Sequence, residues 1–336
     1  MFNFFKMLFF TILISSTLIS ISALSWITAW IGLEMNLMAI IPLMKTNNNK
    51  FAAEASIKYF IIQAMASSCL LFSIMLLSSF SNLNFKFMDM SSILMNLALL
   101  LKMGCAPLHF WLPEICSGLN WSINLMILTW QKIAPMILLS YTILYPSFIS
   151  AIIITTAIIS GVQGINQICL RKIMAYSSIN HMGWMLCALL NSLNLWFYYF
   201  SIYLLITLNI LIMFNKYKTF YLNQLTKMLT PNKTLKLLFM LNFLSLGGLP
   251  PFLGFLPKWL TIYMMVETKF FLVSFTLVIL SLLTLYFYTR ITFSSLTFKY
   301  SESSILSKPK LKNFYFFWNL IILSSLPLSF TLTNYI

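Results

Sequence analysis

Charge is what this sequence has least of. Only 8% of its 336 residues are Asp, Glu, Lys or Arg, against roughly 25% in a soluble domain. With 60% of the chain hydrophobic, no water-facing surface can be assembled from what remains. Histidine occurs twice, too seldom for the paired axial ligands of a bis-histidine haem and the further ligands of a haem–copper centre. Neither a GxGxxG fingerprint nor a P-loop is present, so dinucleotide and ATP binding by those devices is excluded. The five cysteines, Cys69, Cys105, Cys116, Cys169 and Cys187, are never spaced as CxxC and lie in or near apolar runs, where they read as small packing residues.

Apolar runs are what the chain has in abundance. A bilayer core about 30 Å thick needs roughly 20 apolar residues per helix, and such runs follow one another almost end to end. The pattern predicts an all-α, polytopic membrane protein of about eleven spans, at 4–22, 26–44, 55–80, 91–109, 122–144, 147–165, 172–190, 195–214, 235–266, 270–290 and 313–333. A net charge of +15 would suit nucleic acid only on a basic, water-exposed face, and no soluble part exists to present one. The bias towards Phe, Ile, Asn, Lys, Tyr and Met, with nineteen Lys to two Arg, follows AT-rich codons. No Arg-rich amphipathic segment precedes the first span, and together these features suggest synthesis inside a mitochondrion.

Basic residues divide unevenly between the two sides that eleven spans define. Sixteen, from Lys6 through Arg171 and Lys172 to Lys312, fall on the amino-terminal side, and only Lys86 and Lys269 on the other. The positive-inside rule then places the amino terminus in the matrix and the carboxyl terminus in the intermembrane space of the inner mitochondrial membrane. Asp89, Glu114, Glu267 and Glu302 fall near span ends or in loops and read as surface or interface groups. The lysine-rich segments 215–234 and 302–312 read as matrix linkers, and the first also fits an anionic-lipid contact, cardiolipin for instance.

Lys102, Lys132, Lys258 and Glu34 belong to neither set, because they fall inside spans. A charge at a helix centre costs about 2.5–3.5 kcal/mol and marks an ion pathway by default. Snorkelling or a purely structural ion pair is the alternative. Snorkelling suits a lysine near a helix end better than Lys132 in mid-span, and Glu34 is too short to reach water. The fourth and ninth spans combine a buried lysine with Gly and Pro, so each helix should open and free peptide groups for water or charge, unless the prolines are mere kinks. These breaks lie five spans apart, and an odd repeat inverts the second copy. The organisation read from this is two inverted five-helix repeats with broken helices, 1–145 and 146–292, plus a matrix linker and terminal helix, 293–336. Lys102 and the Lys258 region are expected to correspond in the two copies.

Four stretches carry a resemblance: WITAWIGLEMNL (26–37), KMGCAPLHFWLPE (102–114), MAYSSINHMGW (174–184) and SLGGLPPFLGFLPKW (245–259). They resemble the antiporter-like membrane subunits of the proton-pumping NADH:ubiquinone oxidoreductase, respiratory complex I, over essentially the whole chain. The resemblance implies a fourteen-helix fold shortened by three helices at the front. It implies that Glu34 and Lys102 form the ion pair of a first half-channel, Lys132 the central lysine and Lys258 the lysine of a second half-channel. His181, by itself readable as a packed, hydrogen-bonded residue, falls where the family places a relay histidine. The implied partners are the other complex I subunits, neighbouring antiporter-like ones included. FMN, iron–sulfur clusters and ubiquinone are implied in those subunits and no cofactor or metal on this chain. An independent cation/proton antiporter and a membrane scaffold remain as rival functions.

Overall fold

The computed structural model describes residues 4–45, 49–80, 85–143, 145–227, 233–297 and 319–320. Helices account for nearly all of them, and the chain divides into two compact units, Met1–Ile152 and Ile153–Ile336. The expected eleventh span, apart from the helical Asn319 and Leu320, lies outside the described residues, as do the 302–312 linker and the side chains of Lys86 and Asp89.

In the first unit, α1 (Phe4–Ile21) packs on α2 (Trp26–Met44), and α2 on α3 (Lys50–Phe80). Close approach of α1 and α2 depends on small residues: a Cβ on Gly32 would meet the Ser20 backbone nitrogen at 2.8 Å. The hydroxyls of Ser16, Thr17 and Ser20 on α1 bond to carbonyls three residues back, so polar side chains enter the interface without an orphaned donor. The fourth span is split into α4 (Phe85–Met103) and a short α5 (Trp111–Gly118). The fifth, expected to be continuous, is also interrupted: α6 (Trp121–Leu128) passes through a 3-10 turn (Trp130–Lys132) into α7 (Ile133–Ser140). Pro135 lacks the N–H that would bond the Gln131 carbonyl four residues earlier, which accounts for the interruption. The exposed outer faces of α1 to α3 are apolar, with Phe10, Leu18, Ile31, Phe60, Met65 and Phe72 among them, as lipid-facing surfaces require.

The second unit is centred on α9 (Leu170–Asn191), in which nearly every residue from Leu170 to Leu189 is buried although the helix carries Ser177, Ser178, Asn180 and His181. Against it pack α10 (Leu193–Tyr217), α13 (Phe255–Glu267) and α14 (Phe271–Thr297), while α12 (Lys233–Gly247) packs on α10, α13 and α14, and the short α11 (Leu222–Lys227) packs on α14. The helix α8 (Pro146–Ile165) carries the boundary between the units. Several helix ends of this unit lie together. Arg290 donates to the Ile165 and Gln167 carbonyls, Leu170 to Phe220, and the Arg171 guanidinium lies 4.6 Å from the Phe220 ring centre. Asn209 and Asn242 both donate to the Asn319 side chain, tying α10 and α12 to the terminal segment.

Seven helices among the described residues are long and apolar enough to cross a membrane. The fourth, seventh and ninth expected spans are not among them, for two physical reasons: the fourth and ninth are broken, and α9 is polar along a buried surface.

Candidate functional site

The first break begins at Gly104, whose φ of 74° ends α4 in the left-handed region that glycine tolerates. Carbonyls at the end of a helix have no partner in the next turn, and here side chains supply them. Trp111 Nε1 donates to Leu101 at 3.2 Å, and Gln63 Nε2 donates to Lys102 at 3.2 Å. Lys102 is thereby held on the last turn of α4, 7% exposed, beside a small polar cavity. Glu34 on α2 is half-buried and acts on the Lys102 ammonium through space without forming an ion pair with it. The direct contact expected of these two residues is therefore open in this structure.

Lys132 is 1% exposed and occupies the 3-10 turn, with its ammonium within electrostatic range of the Cys105 and Cys116 thiols. Both thiols are buried, Cys105 in the first break and Cys116 on α5. A turn that opens the helix next to the lysine exposes backbone groups where a continuous span would have hidden them.

In the second unit the break begins at Gly248, with φ 79°. Lys258 reaches back across it and donates to the Gly247 carbonyl at 2.9 Å. That reach requires glycine: a Cβ on Gly248 would meet the Lys258 side chain at 2.8 Å, and one on Gly254 would fall onto the Ser245 carbonyl oxygen. The same ammonium lies 5.6 Å from the centre of the Trp184 ring, a cation–π contact. One turn earlier on α9, His181 places Nδ1 3.0 Å from the Tyr199 hydroxyl and its ring 5.0 Å from that of Tyr203. Lys258 and His181 thus share one neighbourhood through Trp184.

The two breaks share a register. Each second half-helix starts seven residues after its positive-φ glycine, at Trp111 and at Phe255. In that register Pro107 matches Pro251, Pro113 matches Pro257, and Glu114 matches Lys258, whereas Lys102 matches Leu246. In sequence Lys102 precedes its break and Lys258 follows its own, yet the Lys258 ammonium reaches back to the Gly247 carbonyl, next to the position that matches Lys102. Glu114, at the position equivalent to Lys258, is exposed and paired at 3.0 Å with Lys58, which also pairs with Glu54.

Among the described residues, no three His, Cys, Asp or Glu side chains gather as a metal site. The first unit holds two buried amines and a half-buried carboxylate, and the second a buried amine and an imidazole, the three amines beside opened helices. A model of the family described as NADH:quinone oxidoreductase/Mrp antiporter, TM, matches residues 23–284. The chain belongs to that family. Among its relatives, NADH-ubiquinone oxidoreductase chain 2 of Anopheles gambiae is 46% identical, over 91% of this chain and 90% of that protein. The protein of the same name from Bos taurus is 38% identical, over 97% and 96%. A chain in the respiratory complex I structure from Thermus thermophilus shares the fold with a TM-score of 0.87 at 21% identity, covering 97% of this chain and 79% of that one. A chain of the Mrp complex from Dietzia superposes with a TM-score of 0.74 at 16% identity, over 84% and 59%.

The five titratable residues expected from the sequence all lie buried or half-buried in the membrane-spanning helices, beside polar neighbours that the sequence does not signal. Asn36, Tyr59, Gln63, Gln131 and Tyr199 were hidden because a lone amide or phenol in an apolar span carries no spacing signal. Pro135, three residues after a buried lysine, was the available clue to the break in the fifth span.

Proposed function

We propose that this chain is a core membrane subunit of a proton-pumping NADH:ubiquinone oxidoreductase, relaying protons across the inner mitochondrial membrane through Glu34, Lys102, Lys132, His181 and Lys258. One observation carries the reading: three lysines no more than 7% exposed each stand at a place where their helix is opened. An amine without a bulk-water shell is expensive, and an opened helix provides the backbone dipoles and space that make it usable as a proton carrier. The two units act as half-channels, with Glu34, Lys102 and Lys132 in the first and His181 and Lys258 in the second. FMN, the iron–sulfur clusters and ubiquinone belong to partner subunits, which drive the relay. The amino terminus faces the matrix and the carboxyl terminus the intermembrane space.

The test is proton transport by the assembled complex in sealed vesicles with NADH as the only energy source. Lys258→Met is expected to leave the complex assembled while protons moved per NADH fall. Unchanged stoichiometry would refute a carrier role for Lys258. Sodium-dependent proton exchange in the absence of NADH would point to an independent antiporter instead.

A further inference from the structure

Beside Lys102 the first unit has a small, partly open cavity with room for about one water molecule, whose polar lining is Asn36, Tyr59, Gln63, Lys102 and Gln131. Small voids with apolar walls stay dry, but a water bonded by two to four polar partners is retained. Gln63 already uses its Nε2 on the Lys102 carbonyl, so its place in the wall is fixed. Gln131 is fixed differently: its Nε2 donates at 2.8 Å to Asn36 Oδ1 on α2, the helix that carries Glu34. Its backbone lies in the 3-10 turn immediately before Lys132. One side chain therefore links the helix of Glu34, the cavity of Lys102 and the turn of Lys132.

Packing alone does not call for this arrangement. Leucine and methionine would fill the same space without burying the Asn36 amide and half-burying that of Gln131, a desolvation that their mutual bond offsets. The bond sets the Gln131 rotamer, and with it the direction in which the amide faces the cavity.

We propose that Asn36 and Gln131 form an amide latch that orients one water against the Lys102 ammonium, making both positioning residues for proton transfer from Lys102 towards Lys132. In the transfer, Lys102 gives a proton to the water, and the water passes a proton on to the Lys132 amine. Lys102 is left as a neutral amine, Lys132 becomes an ammonium, the water is restored, and no other reactant is consumed. The inference rests on the relay reading above.

The experiment measures NADH-driven proton transport in the assembled complex with Gln131→Met, Asn36→Leu, the double variant and, as control, Lys102→Met. Each single change is expected to slow coupled turnover by about tenfold, the equivalent of one hydrogen bond lost at the transfer step. KM for NADH and for ubiquinone should not move, whereas a merely structural loss would lower the amount of assembled enzyme and leave the turnover of what remains intact. The double variant should be no slower than the slower single, because the pair acts as one unit. That variant also guards against misfolding, since replacing both bonded partners by apolar groups of similar shape is close to neutral for stability. Normal transport in the assembled double variant, with Lys102→Met blocked, would overturn the latch and leave the relay standing. Normal transport in Lys102→Met as well would overturn the relay itself.

Discussion

A complex carrying Lys132→Met is expected to assemble at least as well as the unaltered one and to lose proton transport by about a hundredfold, the scale on which a positioned acid–base group contributes to a transfer. The two effects have opposite signs for a reason. Methionine keeps the length of lysine but removes a charge whose insertion at mid-membrane costs about 2.5–3.5 kcal/mol. If Lys132, 1% exposed, served only to pack α7 against its neighbours, losing that charge would be harmless or helpful in every assay. A scaffold residue thus predicts gain or no change, and a proton carrier predicts better insertion with worse transport. Full transport by the assembled variant would assign Lys132 to the scaffold.

The second large effect is expected at Lys102→Arg, paired with Glu34→Gln. Unit charges about 4 Å apart interact by on the order of 4 kcal/mol at an effective dielectric of 20, and by about half that at 8 Å. Glu34 and Lys102 interact through space here without being in contact, and a gap that closed from about 8 to about 4 Å would change how firmly the ammonium is held by about 2 kcal/mol. Movement of α2 against the end of α4 would thereby become uptake or release of a proton. Arginine preserves the charge but does not deprotonate at any attainable pH, so a switch stalls while a static ion pair survives. Coupled turnover is expected to fall by at least about tenfold in Lys102→Arg, and by a comparable factor in Glu34→Gln, which keeps the volume and removes the counter-charge. Normal turnover in Lys102→Arg would reject the switch and leave an electrostatic role.

The class of fold was legible because the hydrophobic runs and the scarcity of charge leave lipid as the one possible solvent. Span positions followed closely where a run is uninterrupted, as at α2, whose bounds Trp26 and Met44 match the reading. Breaks at Gly104 and Gly248 were legible as well, because Gly and Pro cluster there beside a lysine. The matching of charges between breaks was less legible. Register is set by where the chain turns left-handed, and how far a lysine on one side of a break reaches back across it, as Lys258 does to the Gly247 carbonyl, is not readable from sequence. The break at Trp130–Lys132 was missed because a lone proline after a lysine reads as an ordinary kink. Side-chain neighbours such as the Asn36–Gln131 pair, 95 residues apart in sequence, depend on tertiary packing and leave no local trace.

The most direct test of a buried-amine relay is a map of the assembled complex that resolves ordered water within each unit. The account predicts waters at hydrogen-bonding separations, about 2.7–3.2 Å, running from Glu34 past Lys102 and Gln131 to Lys132, and again between His181 and Lys258. A wall of apolar side chains closing either stretch in every conformation seen during turnover would contradict it.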